Sequence, residues 1–119
     1  MAYSLSYNEE DNGKTIQLGI YDDASNTPGT LLASTTATVV NNGWNTLWLN
    51  SPVYLVDGTR YWLGYMYYDA GYSYAYISAP TLNIGYYSNA QYSSLPASLA
   101  GGMTLDHWYH PGIYANTCP

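Results

Sequence analysis

The chain has 119 residues, a formal net charge of −6, two basic and eight acidic residues, one cysteine, sixteen Tyr, four Trp and no Phe. That length suits one domain of ordinary size. Lys14 and Arg60 are too few to displace counterions from nucleic acid, no apolar run nears the ~20 residues that span a bilayer, no basic amphipathic helix could lie on one, and 47% hydrophobic residues is too many for a disordered chain.

The hydrophobic period is two throughout, which predicts strands. An extended run from Tyr3 to Tyr7 is followed by the turn signal Asp11-Asn12-Gly13 and by Thr15 to Tyr21, where Ile16, Leu18 and Ile20 share a face. The two runs read as a hairpin. Asp22 to Gly29 is turn chemistry, ending in Thr27-Pro28-Gly29. A third run, Leu31 to Val40, closes at Asn41-Asn42-Gly43, after which Trp44, Thr46 and Trp48 alternate along one face. A short segment from Val53 to Val56 meets the Asp57-Gly58 turn.

Thr59 to Tyr68 is aromatic or apolar on both faces: Tyr61, Leu63, Tyr65 and Tyr67 on one, Trp62, Gly64, Met66 and Tyr68 on the other. A central strand covered on both sides has that character. Past Asp69-Ala70-Gly71 comes Tyr72 to Ile77, with Tyr72, Tyr74 and Tyr76 on one face, then a short strand from Leu82 to Tyr87. Ser88 to Gly102 reads as a long loop plugged by Leu95-Pro96 and Leu99, and Thr104 to Ala115 closes the domain around Pro111-Gly112. With about eight short strands and Gly, Pro and Asn turns, the pattern is that of an all-β protein, an antiparallel β-sandwich of jelly-roll type.

Cys118 is the single thiol, so an internal disulfide and a thiolate cluster are both excluded. The first residues, Met1 to Tyr7, have neither the basic nor the apolar region of a signal peptide. Low Lys with high Tyr, Thr, Ser, Asn and Gly is nonetheless an extracellular composition. The expectation is a single domain over residues 1–119, taken from a longer secreted chain or encoded without its export signal.

Several stretches resemble bacterial secreted β-sandwich accessory modules: Ile20-Tyr21-Asp22-Asp23, Pro28-Gly29-Thr30-Leu31-Leu32-Ala33, Gly43-Trp44-Asn45-Thr46, Ser51-Pro52-Val53 and Asp57-Gly58-Thr59-Arg60-Tyr61-Trp62-Leu63. Tyr86-Tyr87, Leu95-Pro96 and Gly112-Ile113-Tyr114-Ala115 fit the same pattern. Such modules are similar in architecture to carbohydrate-binding modules and stand beside glycoside hydrolases, adhesins and anchoring segments. The resemblance covers nearly the whole chain and implies a fold more than a function. Modules of this kind carry a further strand ahead of the one that begins here at Tyr3. If that strand is missing, the sheet has an exposed edge, a template for self-association or strand exchange between copies.

Glycoside hydrolysis needs two carboxyl groups facing across a cleft, about 5–10 Å apart. Glu9, Glu10, Asp11, Asp22, Asp23 and Asp69 all sit in or beside turn-like sequence, where acidic residues cap the backbone, and Asp106 stands apart. There is no Gly-x-Ser-x-Gly elbow. The chain reads as non-enzymatic. His107 and His110 point to opposite faces of an extended strand and lack a third zinc ligand. A structural calcium would find its carboxylates at Asp22-Asp23, although an Asp-rich turn is the simpler reading. No other cofactor is implied.

The aromatics carry the information. A sugar presents an apolar C–H face and a hydroxyl rim, and Tyr or Trp covers the former while Asn, Gln, Asp or a phenol bonds the latter. Low charge suits a neutral glycan. Tyr72, Tyr74 and Tyr76 form a ladder with ~6.6–6.8 Å between neighbours from the strand rise, and Tyr86, Tyr87, Tyr92, Trp108 and Tyr109 make a second set nearer loops. Trp44, Trp62 and Tyr61 belong to the resemblance motifs and read as structural. The function expected is non-catalytic recognition of neutral carbohydrate outside the cell. The alternative is a structural or adhesive module of a surface or viral assembly, its tyrosine face buried against a second copy.

Overall fold

The computed structural model describes residues 1–10, 12–69, 72–79, 84–88, 94–98, 104–106 and 112–117, with residues 68–69, 72–79, 84–88 and 104–106 described as backbone. Among the described residues ten strands follow in chain order: β1 (Ala2–Glu9), β2 (Lys14–Asp23), β3 (Pro28–Ser34), β4 (Thr38–Val40), β5 (Gly43–Val53), β6 (Tyr61–Asp69), β7 (Tyr72–Ala79), β8 (Ile84–Ser88), β9 (Thr104–Asp106) and β10 (Ile113–Thr117). They form two antiparallel sheets, one of three strands in the order β10-β1-β5 and one of seven in the order β3-β2-β6-β7-β8-β9, with β4 also on β2. The fold is all-β and β-sandwich-like. Among the described residues no helix is long and apolar enough to cross a membrane.

The core lies between the sheets and draws on both. Ala2, Leu5 and Tyr7 of β1, Leu47, Leu49 and Val53 of β5 and Ile113 of β10 meet Ile16, Leu18 and Ile20 of β2, Ala33, Val40 and Tyr65. The Ile16-Leu18-Ile20 alternation thus faces the core as expected. Each fully buried aliphatic side chain contributes about 1.5–3 kcal/mol over exposure.

The expected hairpin between the first two runs does not form. β1 pairs with β5 and β10, whereas β2 pairs with β3, β4 and β6. Both runs carry an apolar stripe, and setting the stripes against each other across the core buries both. The Asn12-Gly13 turn, with Gly13 at φ 83° and its N–H on the Val40 carbonyl at 2.9 Å, therefore carries the chain from one sheet to the other. Among the described residues β1 is the central strand of its sheet, and the outer strands are β5 and β10.

Hairpin chemistry appears instead between β2 and β3. Ser25 and Asn26 both have positive φ, at 54° and 70°, and Ala24 and Thr27 exchange backbone hydrogen bonds of 2.7 and 3.2 Å. This is the pattern of a tight primed turn, whose twist matches that of the strands. Pro28 opens β3, a position where the missing N–H does no harm. The third run divides at Thr35, a buried residue that bonds Leu18 through its N–H (2.9 Å) and Oγ1 (3.1 Å) and bridges to Leu49. β5 extends to Val53, absorbing the start of the segment expected at Val53 to Val56. The Asp57-Gly58 turn is present, with Gly58 at φ 80°.

β6 is covered on both faces where its side chains are described. Tyr65 lies in the core between the sheets, while Trp62 and Met66, on the opposite face, are also buried. Residues 94–98 lie over that second face: the Leu31 N–H bonds the Ala97 carbonyl at 2.8 Å, and Thr30 bridges to Ser98. Leu95 is buried there, as the plug reading expected. Leu99, the other expected plug, lies outside the described residues.

Candidate functional site

On the three-stranded sheet, strand alternation sends Leu5 and Tyr7 inward and Ser4, Ser6 and Asn8 outward. The register sets Ser4 opposite Trp48 and Asn116, Ser6 opposite Thr46 and Tyr114, and Asn8 opposite Trp44. The outer face therefore combines Trp44, Thr46 and Trp48 of β5 with Tyr114 and Asn116 of β10 across a floor of small polar residues. Trp44 is 55% exposed, Trp48 72% and Tyr114 47%. Trp44 and Tyr114 lean together across β1, their ring centroids 5.1 Å apart at 60°.

The floor is tied by side-chain hydrogen bonds. Ser6 Oγ and Thr46 Oγ1 are 2.8 Å apart, and Asn116 Nδ2 donates to Ser4 Oγ (3.0 Å) and Ser6 Oγ (2.9 Å). Ser4 and Ser6 are buried beneath these contacts. Both amide hydrogens of Asn116 are thereby used and its Oδ1 stays available as an acceptor, which fixes the amide orientation. Among the described residues of β1, β5 and β10, none of those on this face is charged. Chemically it offers apolar ring faces, hydroxyls and one oriented amide oxygen.

Trp44 reads as structural from sequence, yet it is exposed. The signal was present. In Trp44 to Leu49 the aliphatic members Leu47 and Leu49 occupy one face and Trp44, Thr46 and Trp48 the other, and a core prefers the aliphatic face when only one is buried. Trp62 is structural as expected. Tyr61 is half-buried and its hydroxyl accepts the Val56 N–H at 3.0 Å.

The residues proposed from sequence as ligand contacts are placed as follows. Backbone register sets Tyr72 opposite Asp69, Tyr74 opposite Tyr67, Tyr76 opposite both Tyr65 and Tyr87, and Tyr86 opposite Ile77 and Leu105. Tyr92, Trp108 and Tyr109 lie outside the described residues, as do His107, His110 and Cys118.

At the expected calcium position the two carboxylates serve the backbone and a core indole. Asp22 Oδ1 accepts the Thr30 N–H at 2.6 Å; Asp23 Oδ1 accepts Trp62 Nε1–H at 2.9 Å and its Oδ2 the Asn26 N–H at 3.4 Å. Arg60 donates to Asn26 Oδ1 beside them. Among the described residues no group of three His, Cys, Asp or Glu is gathered for a metal.

Glu9 was grouped with turn carboxylates, yet it ends β1 and is buried. Its Oε2 accepts the Tyr67 hydroxyl at 3.2 Å and its Oε1 the Glu10 N–H at 3.0 Å. Tyr67 spends its one proton on Glu9, so the 2.6 Å contact between hydroxyls is Tyr7 donating to Tyr67. The Tyr7, Tyr65 and Tyr67 rings pack at centroid distances of 4.9, 6.5 and 5.2 Å, and Lys14 Nζ lies 5.7 Å from the Tyr67 ring centre.

Burial first, then the bond to Tyr67 and the neighbouring acidic groups, push the Tyr7 hydroxyl far above the ordinary tyrosine range. The folded state thus keeps a proton that the unfolded chain gives up. Stability from this group is complete below the ordinary value of about 10 and is lost as pH rises past it, by about 1.4 kcal/mol per pH unit for one proton. Urea midpoints taken from about pH 9 to about pH 11 (one unit either side of that value) should fall, and Tyr7→Phe should make the fall shallower by that slope. Equal slopes for both proteins would remove Tyr7 as the cause.

Comparison with known protein families, with characterised proteins and with solved structures returns no match to this chain.

Proposed function

We propose that this domain is a non-catalytic module that binds neutral carbohydrate outside the cell, through stacking on Trp and Tyr. The observation that carries the reading is the outer face of the three-stranded sheet: Trp44, Trp48 and Tyr114 stand exposed beside Thr46 and an Asn116 amide whose two hydrogens are held by Ser4 and Ser6. Aromatic faces match pyranose C–H surfaces and oriented neutral polar groups match hydroxyls. The uncharged character of the face and the chain's low overall charge favour a neutral ligand.

The finer architecture we infer is a jelly-roll-type sandwich. The first strand pairs with the last, and the chain crosses between the sheets before β2, β5, β6 and β10. Its setting is a secreted or surface-attached chain. Any calcium at Asp22 and Asp23 would be structural, since both carboxylates hold the turn beside Trp62.

Native gel retardation in hydroxyethylcellulose, soluble xylan, galactomannan and dextran tests the binding reading. One of these polymers should slow the protein, and Trp44→Ala with Trp48→Ala should restore its mobility. Retardation that survives both changes but falls with Tyr74→Ala would move the site to the tyrosine ladder. No retardation by any polymer counts against carbohydrate binding.

A second reading has its own support. β5 and β10 are the outer strands of the small sheet and flank the aromatic face, so a second copy could join through edge and face together. Light scattering over a concentration series, with and without Trp48→Ala, separates it. A stable oligomer that dissociates with the substitution would put assembly first.

A further inference from the structure

The spacing on this face says what length of ligand it fits. β5 keeps an unbroken register with β1 from Gly43 to Trp48, opposite Glu9 to Ser4. Four residues of regular strand separate the Cα atoms of Trp44 and Trp48 by about 13–14 Å. Trp44 is drawn toward β10 by Tyr114, while Trp48 is the most exposed of the three rings. Between them on β5 lies Thr46, and Asn116, level with Trp48 across Ser4, extends its amide to Ser6, the residue opposite Thr46.

One pyranose is about as wide as one aromatic ring, and adjacent rings of a disaccharide sit closer together than these two tryptophans. Resting on the carbohydrate reading above, we infer that the face takes an extended, unbranched neutral oligosaccharide of at least three units lying along β5. One sugar stacks at the Trp44–Tyr114 corner and another on Trp48. An intervening unit bonds Thr46 Oγ1 and Asn116 Oδ1. The site is therefore built for the interior of a chain and not for a terminal sugar: the described face is an open sheet surface on which both ends of the ligand run on.

Titration calorimetry with cello-, xylo- and manno-oligosaccharides, each from monosaccharide to hexasaccharide, reads this directly. In the series that binds, affinity should rise about tenfold between disaccharide and pentasaccharide, the worth of one added contact of about 1.4 kcal/mol, and then level off. Trp48→Ala should bring the hexasaccharide down to the disaccharide level. Trp48 is exposed, so the variant keeps the fold, and an unchanged urea midpoint verifies that. Length-independent binding, or a rise that survives Trp48→Ala, overturns this inference and leaves carbohydrate binding standing. Binding of no saccharide in any series, together with no retardation by the polymers, overturns both.

Discussion

Replacing Trp62 with alanine is expected to destabilise the domain by about 3–5 kcal/mol, a large part of the margin of a domain this size. Trp62 is fully buried on the face of β6 turned away from the three-stranded sheet, with Tyr21 directly opposite it on β2. Its loss opens a cavity in a layer whose other members, Tyr21, Met66 and Leu95, are held in place by strand register and by the segment above them. The indole N–H also donates to Asp23 at 2.9 Å. Asp23 is only half-buried, so water can replace that donor. Trp62→Phe, which removes the donor and keeps most of the ring, should therefore cost far less, about 1–2 kcal/mol. Urea unfolding of the two variants decides the matter. Equal losses would mean that the hydrogen bond to Asp23, and not packing, is what Trp62 supplies.

Much of the fold was legible because burial imposes period two. Ile16, Leu18 and Ile20 face the core, and Trp62 and Met66 fill the second face, as the alternation foretells. Turn chemistry was legible as well, in Gly13, Gly43 and Gly58, each at positive φ. What Asn12-Gly13 could not say was where the chain goes next. The same dipeptide closes a hairpin or carries the chain between sheets, and the choice rests on which apolar stripes meet across the core. That is a long-range matter: Leu5 and Leu18 share one core from opposite sheets, because β5 and β10 occupy the places on either side of β1.

The candidate site was half legible. Composition pointed to stacking aromatics and neutral polar partners, and the exposed face of the small sheet has that chemistry. Trp44 reads as structural because it lies in a recognisable motif, yet it stands exposed. Trp48 was placed on the right face, but that face was not recognised as outer. Tyr114 could be placed only by the pairing of β10 with β1, more than a hundred positions apart in the chain, since Tyr114 meets Ser6 there. Glu9 caps the Glu10 N–H, as a carboxylate beside turn sequence does, but its strand parity also directs it inward, where two tyrosine hydroxyls in series supply what water would have.

Gln17→Leu is expected to cost about 2–4 kcal/mol, although it puts a more apolar residue of similar size in a buried place. The side chain spans two backbones: Nε2 donates to the Thr35 carbonyl at 3.1 Å, and Oε1 accepts the Leu95 N–H at 2.7 Å. Leucine leaves both partners buried and unsatisfied, at about 1–3 kcal/mol each, less the gain from added apolar burial. Gln17 is moreover the innermost of the clips that hold residues 95–97 over β2. Tyr21 reaches the Pro96 carbonyl at 2.7 Å and the Leu31 N–H reaches Ala97 at 2.8 Å. Gly19 lies so close beneath that a Cβ there would come within 2.7 Å of Leu95 Cδ1. Tyr21→Phe removes one neutral bond at the margin of this layer and should cost nearer 1 kcal/mol. If the clip works as described, Gln17→Leu lowers the urea midpoint without changing the slope and also speeds amide exchange at Leu95 more than at Leu18. A loss below about 1 kcal/mol, with exchange at Leu95 unaltered, would mean that the Tyr21 and Leu31 bonds are enough to keep the segment seated.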